Sequence, residues 1–230
     1  MSSRSFGSLN ELYTELRRRV DNQPIHYKFG NPNGPTIMFI NRFPSHFDAI
    51  PALTADVTLE EYEEICERKN RDLMFRRFGL FKRYFRDLFL GTGFTDGSWQ
   101  VKSARWLDIA YETCACKTEE PKRDIPEIIT ERYQDLLSPE IELVNPEVIV
   151  TAGEDATQAT ANALLGQQAP KVDRMTDSKF WNPVLYDTTP MMIPTVHWAA
   201  QDNNPEYRDA YQESVRRARN QLEPFIINSD

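Results

Sequence analysis

Two short stretches gather side chains able to do chemistry. Residues 41–48, NRFPSHFD, bring an amide, a guanidinium, a hydroxyl, an imidazole and a carboxylate into eight positions broken by Pro44. Residues 196–204, VHWAAQDNN, place His197 where an apolar run meets a loop of small and amide residues. The chain has only three histidines, and His46 and His197 fall in these two stretches. An amide or carboxylate can hold a water molecule, and an imidazole can donate to a developing anion. A third stretch, 112–117, carries Glu112, Cys114 and Cys116. Three cysteines, two of them two positions apart, make neither a disulfide framework nor a four-thiolate cluster. Zinc would need more ligands than this stretch offers. No phosphate-cradling glycine loop is present, which weakens any NTPase reading.

These stretches need a frame that brings them together, and the pattern of elements supplies one. The segment SLNELYTELRRRV spaces Leu9, Leu12, Leu16 and Val20 as a helix, with Ser8 as its cap. Four apolar runs have strand length: TIMFIN (36–41), WLDIAY (106–111), EVIVTAG (147–153) and MMIPTVH (191–197). Pro194 marks a local irregularity in the last. Helical periodicity fills 59–89, 125–143, the run after Gly153 and the run after Asn204-Pro205, and Asn145-Pro146 ends the second of these. Strands alternating with helices predict an α/β fold with three layers, α/β/α, around a short, mostly parallel four-stranded sheet. Ligands of such sheets sit beyond the carboxyl ends of the strands, so the residues following each strand are the ones to inspect.

At 230 residues the chain is expected to form a single domain, with 1–34 as an N-terminal helical extension and 35–222 as the core. No apolar run approaches 18 residues and the first twenty lack an uninterrupted apolar stretch, so neither a membrane span nor a signal peptide is expected. A cytoplasmic setting follows. The net charge of −8 argues against a generic basic nucleic-acid binder. The charge is unevenly spread, however. Residues 68–86 hold eight basic residues (Arg76, Arg77, Lys82 and Arg83 among them) against one acidic, Asp72, with Phe75, Phe78, Phe81, Tyr84 and Phe85 interleaved. The aromatics read as a core face and the cations as a face able to meet phosphates. Arg216, Arg217 and Arg219 in the last helix can add to it.

Taken in order, these segments resemble the uracil-DNA glycosylase superfamily. IMFINRFPSHF stands where its first motif belongs, and TVHWAA stands where its His-Pro-Ser-type second motif belongs. The passage from CACKTEEPKRDIPEII to NPEVIVTAGEDATQA is similar to its middle section, and NRDLMFRRFGLFKRYFRDLFLGTGF to its earlier helix and turn. The resemblance covers roughly residues 35–222. It implies hydrolysis of the N-glycosidic bond of a base flipped out of DNA, without metal or cofactor, by a protein expected to act as a monomer.

Carried over residue by residue, His197 matches the second-motif histidine, while Trp198 and Ala199 replace the usual Pro and Ser beside the DNA. The first motif aligns in two ways. With Pro44 as the motif proline, Phe43 occupies the water-positioning place, and His46 matches a motif histidine. With Ile40-Asn41 as the Ile-Asn of the Gly-Ile-Asn-Pro version, Asn41 is the water-positioning amide; Asp48 is the loop's only carboxylate and the other candidate for that role. Phe43, His46 and Phe47 would line the base pocket and Ser45 would touch the DNA. Where uracil-binding relatives carry an asparagine, the alignment puts Glu112, with Asp108 as a lesser alternative. A carboxylate repels the O4 of uracil and pairs with the exocyclic amine of cytosine, so a modified cytosine is the expected base. The alternative for Glu112 is an ion pair with one of the arginines. The rival functions are a non-catalytic nucleic-acid-binding relative and a hydrolase of free nucleosides or nucleotides. The resemblance implies repair of DNA as the setting, and the Glu112 substitution raises a second, defence against DNA with modified bases.

Overall fold

Side by side in the computed structural model, the apolar runs form one sheet. The structure describes residues 5–20, 29–30, 33–42, 58, 61, 87–88, 109–118, 124–172, 188–197, 205 and 207–227. Helix α1 (Leu9–Arg19) is capped by Ser8, whose hydroxyl accepts from the Glu11 N–H. The strands are β1 (Phe29–Gly30), β2 (Ile37–Asn41), β3 (Ala110–Cys114), β4 (Val148–Ala152) and β5 (Met191–Thr195). Their order is β1-β3-β2-β4-β5. The last four are mutually parallel, and the two-residue β1 adds an antiparallel edge beside β3. The sheet is therefore mostly parallel, with four principal strands and a short fifth.

Every side chain of β2, β3 and β4 is buried, as expected of strands covered on both faces. Alternation sends Met38, Ile40, Tyr111 and Ile149 to one face. There they meet α1, the helical run α2 (Ile125–Ile128), a π-helical turn (Ile129–Tyr133), α3 (Gln134–Val144) and α4 (Glu154–Leu165). Ile37, Phe39, Val148, Val150 and Ile193 take the other face against α5 (Tyr207–Ile227). The result is three layers, α/β/α. Leu12, Tyr13, Leu16 and Val20 of α1 are part of the first core. Each such buried aliphatic side chain contributes about 1.5–3 kcal/mol.

Local signals end the elements where the sequence says they should. Asn145 terminates α3 in the left-handed conformation (φ 51°) and donates its N–H to the Ile141 carbonyl. Pro194 sits in β5, at the edge of the sheet order, where a missing N–H costs no ladder bond on the open side. One expectation needs correcting. The second strand does not span 106–111: it runs Ala110–Cys114, so Glu112 lies inside the strand rather than in the loop after it. Polar residues ordinarily mark a strand's end, but here Glu112 and Thr113 are held inside by partners on opposite faces. Of the helix expected over 59–89, Glu61, Asp87 and Leu88 are described, and all three are helical. Tyr211 donates to Asp87, which ties that segment to α5.

Candidate functional site

All four parallel strands deliver their carboxyl ends to one edge of the sheet. Asn41 is the last residue of β2 and pairs in register with Cys114, the last of β3. The main chain continues this pairing past the strands: Asn41 O accepts from Ala115 N at 2.8 Å and Arg42 O from Cys116 N at 2.9 Å. The loop after β3 is thereby pinned to the end of β2. Arg42 forms an ion pair with Asp155 in the first turn of α4. On the next strand, Gly153 caps α4 with φ 88°, and its N–H donates to Thr195 O at 2.8 Å. A side chain at Gly153 would be strained by that φ, and its Cβ would come within 3.3 Å of the His197 Cβ. The half-buried His197 thus packs on a bare turn at the carboxyl ends of β4 and β5.

The chemistry of this edge centres on Asn41 and Glu112. Both point to the α5 face, and they are 3% and 6% exposed. Asn41 Nδ2 donates to Glu112 Oε1 in a short hydrogen bond. A carboxylate only accepts, so it fixes which end of the amide faces it. Asn41 Oδ1 is turned the other way, buried, and accepts no hydrogen bond from the described residues. Leaving a buried acceptor unsatisfied costs about 1–3 kcal/mol. Exceptions of this kind call for a reason, and a ligand donor is one. The Cys114 thiol lies 4.0 Å from the same Glu112 oxygen. Burial, and then the Glu112 charge, pushes that thiol well above its ordinary range, so it stays a neutral donor rather than a nucleophile.

Neither family models nor curated proteins give a match for this chain.

Of the residues predicted for the site, the structure brings Asn41 and Glu112 into contact and puts His197 on the same sheet edge, beyond β4. Glu112 accepts from the Asn41 amide. Phe43, Ser45, His46, Phe47, Asp48, Arg76, Arg77, Lys82, Arg83, Trp198 and Ala199 lie outside the described residues. In the last helix Arg216 is paired with Glu213 in a two-pronged contact, and Arg217 lies 4.0 Å from the same carboxylate. Among the described residues no cluster of three metal-ligating side chains occurs.

The opposite face of β3 holds polar residues that the sequence reading missed. Lys117 and Glu140 are 1% and 0% exposed, and their charged ends are 2.6 Å apart. Lys117 also donates to Thr113 Oγ1. The other Glu140 oxygen accepts from the Tyr13 and Tyr111 hydroxyls at 2.7 and 2.9 Å. Burial, and next the Glu140 charge, raises both phenols well above their usual range, which keeps them protonated donors. One signal could have found this group. Glu140 sits on the apolar stripe Leu136, Leu137, Ile141, Val144, and a carboxylate on such a stripe must have a buried partner.

Proposed function

We propose that this protein is a DNA glycosylase that hydrolyses the N-glycosidic bond of a flipped base, with a modified cytosine preferred over uracil. The observation that carries the reading is the unpaired Asn41 Oδ1, buried beside Glu112 at the carboxyl edge of a parallel sheet. In this reading Oδ1 accepts a hydrogen bond from water and points the water's lone pair at C1′ of the sugar. The C1′–N1 bond breaks with its electron pair leaving on the base, the water oxygen bonds to C1′, and the proton the water gives up ends, by way of solvent, on the departing base. The sugar carries positive charge in the transition state and the departing base negative charge. His197 donates to the O2 of the departing base and offsets its negative charge. Glu112 accepts from the exocyclic amine of the cytosine, a contact that the carbonyl of uracil cannot make. Basic residues 76–83 meet the phosphates on either side of the flipped nucleotide. The product is an abasic site, and the setting is cytoplasmic repair or defence against DNA carrying modified bases. No helix among the described residues is long and apolar enough to cross a membrane.

The test is abasic-site formation on parallel DNAs containing uracil, mismatched thymine, cytosine and bulky 5-substituted cytosines, read as alkali-labile breaks. Breaks at modified cytosine are expected. Breaks at uracil alone would keep the activity and remove the Glu112 argument, as would a Glu112→Asn variant with unchanged base preference. Binding without breaks would favour a non-catalytic nucleic-acid binder, and release of base from free nucleosides alone a nucleoside hydrolase.

A further inference from the structure

The side-chain amide of asparagine is nearly symmetric in shape, and rotation about its last bond is broad and roughly two-fold. Nothing intrinsic to Asn41 decides whether its oxygen or its nitrogen faces the sheet edge. Its neighbour does. With Nδ2 toward Glu112 a donor meets an acceptor; with Oδ1 toward Glu112 two acceptors would meet in a buried space. Glu112 is itself held in place, since it lies inside β3 opposite Phe39 rather than in a loop. A carboxylate accepts from several donors at once, so the Asn41 bond does not by itself exhaust it.

We infer that Glu112 is a positioning residue as well as the group that reads the base: by taking the Asn41 Nδ2 hydrogen, it aims Asn41 Oδ1 as an acceptor for the attacking water. The inference rests on the glycosylase reading and deepens it. Recognition and water placement then share one carboxylate, so the group that selects the base also sets the orientation of the group that acts on the sugar. A glutamine at 112 separates the two roles. Its Oε1 can still accept from Asn41, while its amino end meets the base with a donor in place of an acceptor.

The experiment compares wild type, Glu112→Gln, Glu112→Leu, Asn41→Ala and the Glu112→Leu/Asn41→Ala double variant. The readouts are single-turnover base release and DNA affinity on the same DNA panel, and the NMR signals of the Asn41 side-chain amide, assigned by their loss in Asn41→Ala. On the wild-type substrate, Glu112→Leu is expected to slow base release about 100-fold, far more than it weakens DNA binding. The double variant should be slowed by less than the product of the two single effects, because water placement is shared and is lost only once. Glu112→Gln should slow base release from the wild-type substrate less than Glu112→Leu does, and should move preference toward uracil. In wild type and Glu112→Gln one Asn41 amide proton should be shifted and slow to exchange, and in Glu112→Leu that signature should be gone. Independent, multiplying effects in the double variant, or an Asn41 amide indifferent to residue 112, would overturn the inference while leaving the glycosylase reading intact. A wild type that releases no base from any DNA would overturn the glycosylase reading and, with it, the water-positioning role. If Glu112→Leu does not fold, Glu112→Gln decides: loss of base release on uracil and cytosine DNAs alike would overturn the inference.

Discussion

Strand β3 builds two buried polar groups, one on each face of the sheet, from adjacent residues. On the α1–α3 side, Tyr111 and Thr113 join Tyr13, Lys117 and Glu140, and each charged or hydroxyl end of that group has a partner. On the α5 side, Glu112 holds Asn41 by its nitrogen and leaves the amide oxygen with none among the described residues. The two are alike in burial and in being tied to β3. They differ in closure. A closed group spends its hydrogen-bonding capacity on the fold, whereas an open acceptor at the sheet's carboxyl edge has capacity left for a ligand. The first therefore belongs to stability, and on the proposed function the second belongs to chemistry.

The largest effect expected on the closed side comes from Lys117→Met. It leaves the Glu140 charge buried without its cation and should cost about 3–5 kcal/mol, or roughly 6–20 °C in Tm for a chain of this size. Thermal unfolding followed by circular dichroism measures it, and a Glu140→Leu change added to Lys117→Met should recover part of the loss. A Lys117→Met protein as stable as wild type would break the distinction between the faces. On the open side, Asn41→Ala should reverse the pattern. Base release falls about 100- to 1,000-fold in single-turnover kinetics, while Tm falls by less than in Lys117→Met, since the hydrogen bond lost to Glu112 is partly offset by removal of the unsatisfied Oδ1.

Acid sharpens the comparison further. Burial pushes the Glu140 carboxyl upward, but the Lys117 charge, with hydrogen bonds from Lys117, Tyr13 and Tyr111, outweighs it and holds the group below its ordinary 4.5. Its folded value is depressed, so its contribution is fully present above pH 4.5 and disappears as pH falls below that through the folded value. Urea unfolding at stepped pH should show this loss in wild type and a flatter acid limb in Glu140→Gln. The smallest effect belongs to the rim. Arg19 makes a two-pronged pair with Asp135 at 2.6 and 2.8 Å and joins α1 to α3, but Asp135 is 58% exposed. Arg19→Ala should cost about 0.5–1 kcal/mol by the same unfolding measurement, and less in high salt.

Much of the frame was legible because it rests on apolar periodicity and end signals. TIMFIN, EVIVTAG and MMIPTVH became β2, β4 and β5, and Ser8 and Asn145 cap the helices they were read to cap. The second strand was misplaced toward its N-terminal side because its core half is AYETC, in which Glu112 and Thr113 break the apolar pattern. Those residues are tolerated inside only because Asn41 lies one strand away and Lys117 four residues on, and no local pattern announces such pairing. For the same reason the closed group went unseen: Tyr13, Tyr111 and Glu140 come together from α1, β3 and α3. The open pair was half legible. Asn41 and Glu112 were each picked out by position at a strand end, but their hydrogen bond to one another is a product of the β2–β3 register.

The claim that the open pair is chemical and the closed group structural meets its most direct test in one assay. Wild type and Asn41→Ala are incubated with DNA carrying a bulky 5-substituted cytosine at one position, and alkali-labile breaks are counted at equal occupancy of the DNA. The account predicts breaks at that cytosine with wild type and a loss of about 100-fold or more with Asn41→Ala. Equal breakage by the two proteins, or none by wild type while it binds the DNA, would contradict it.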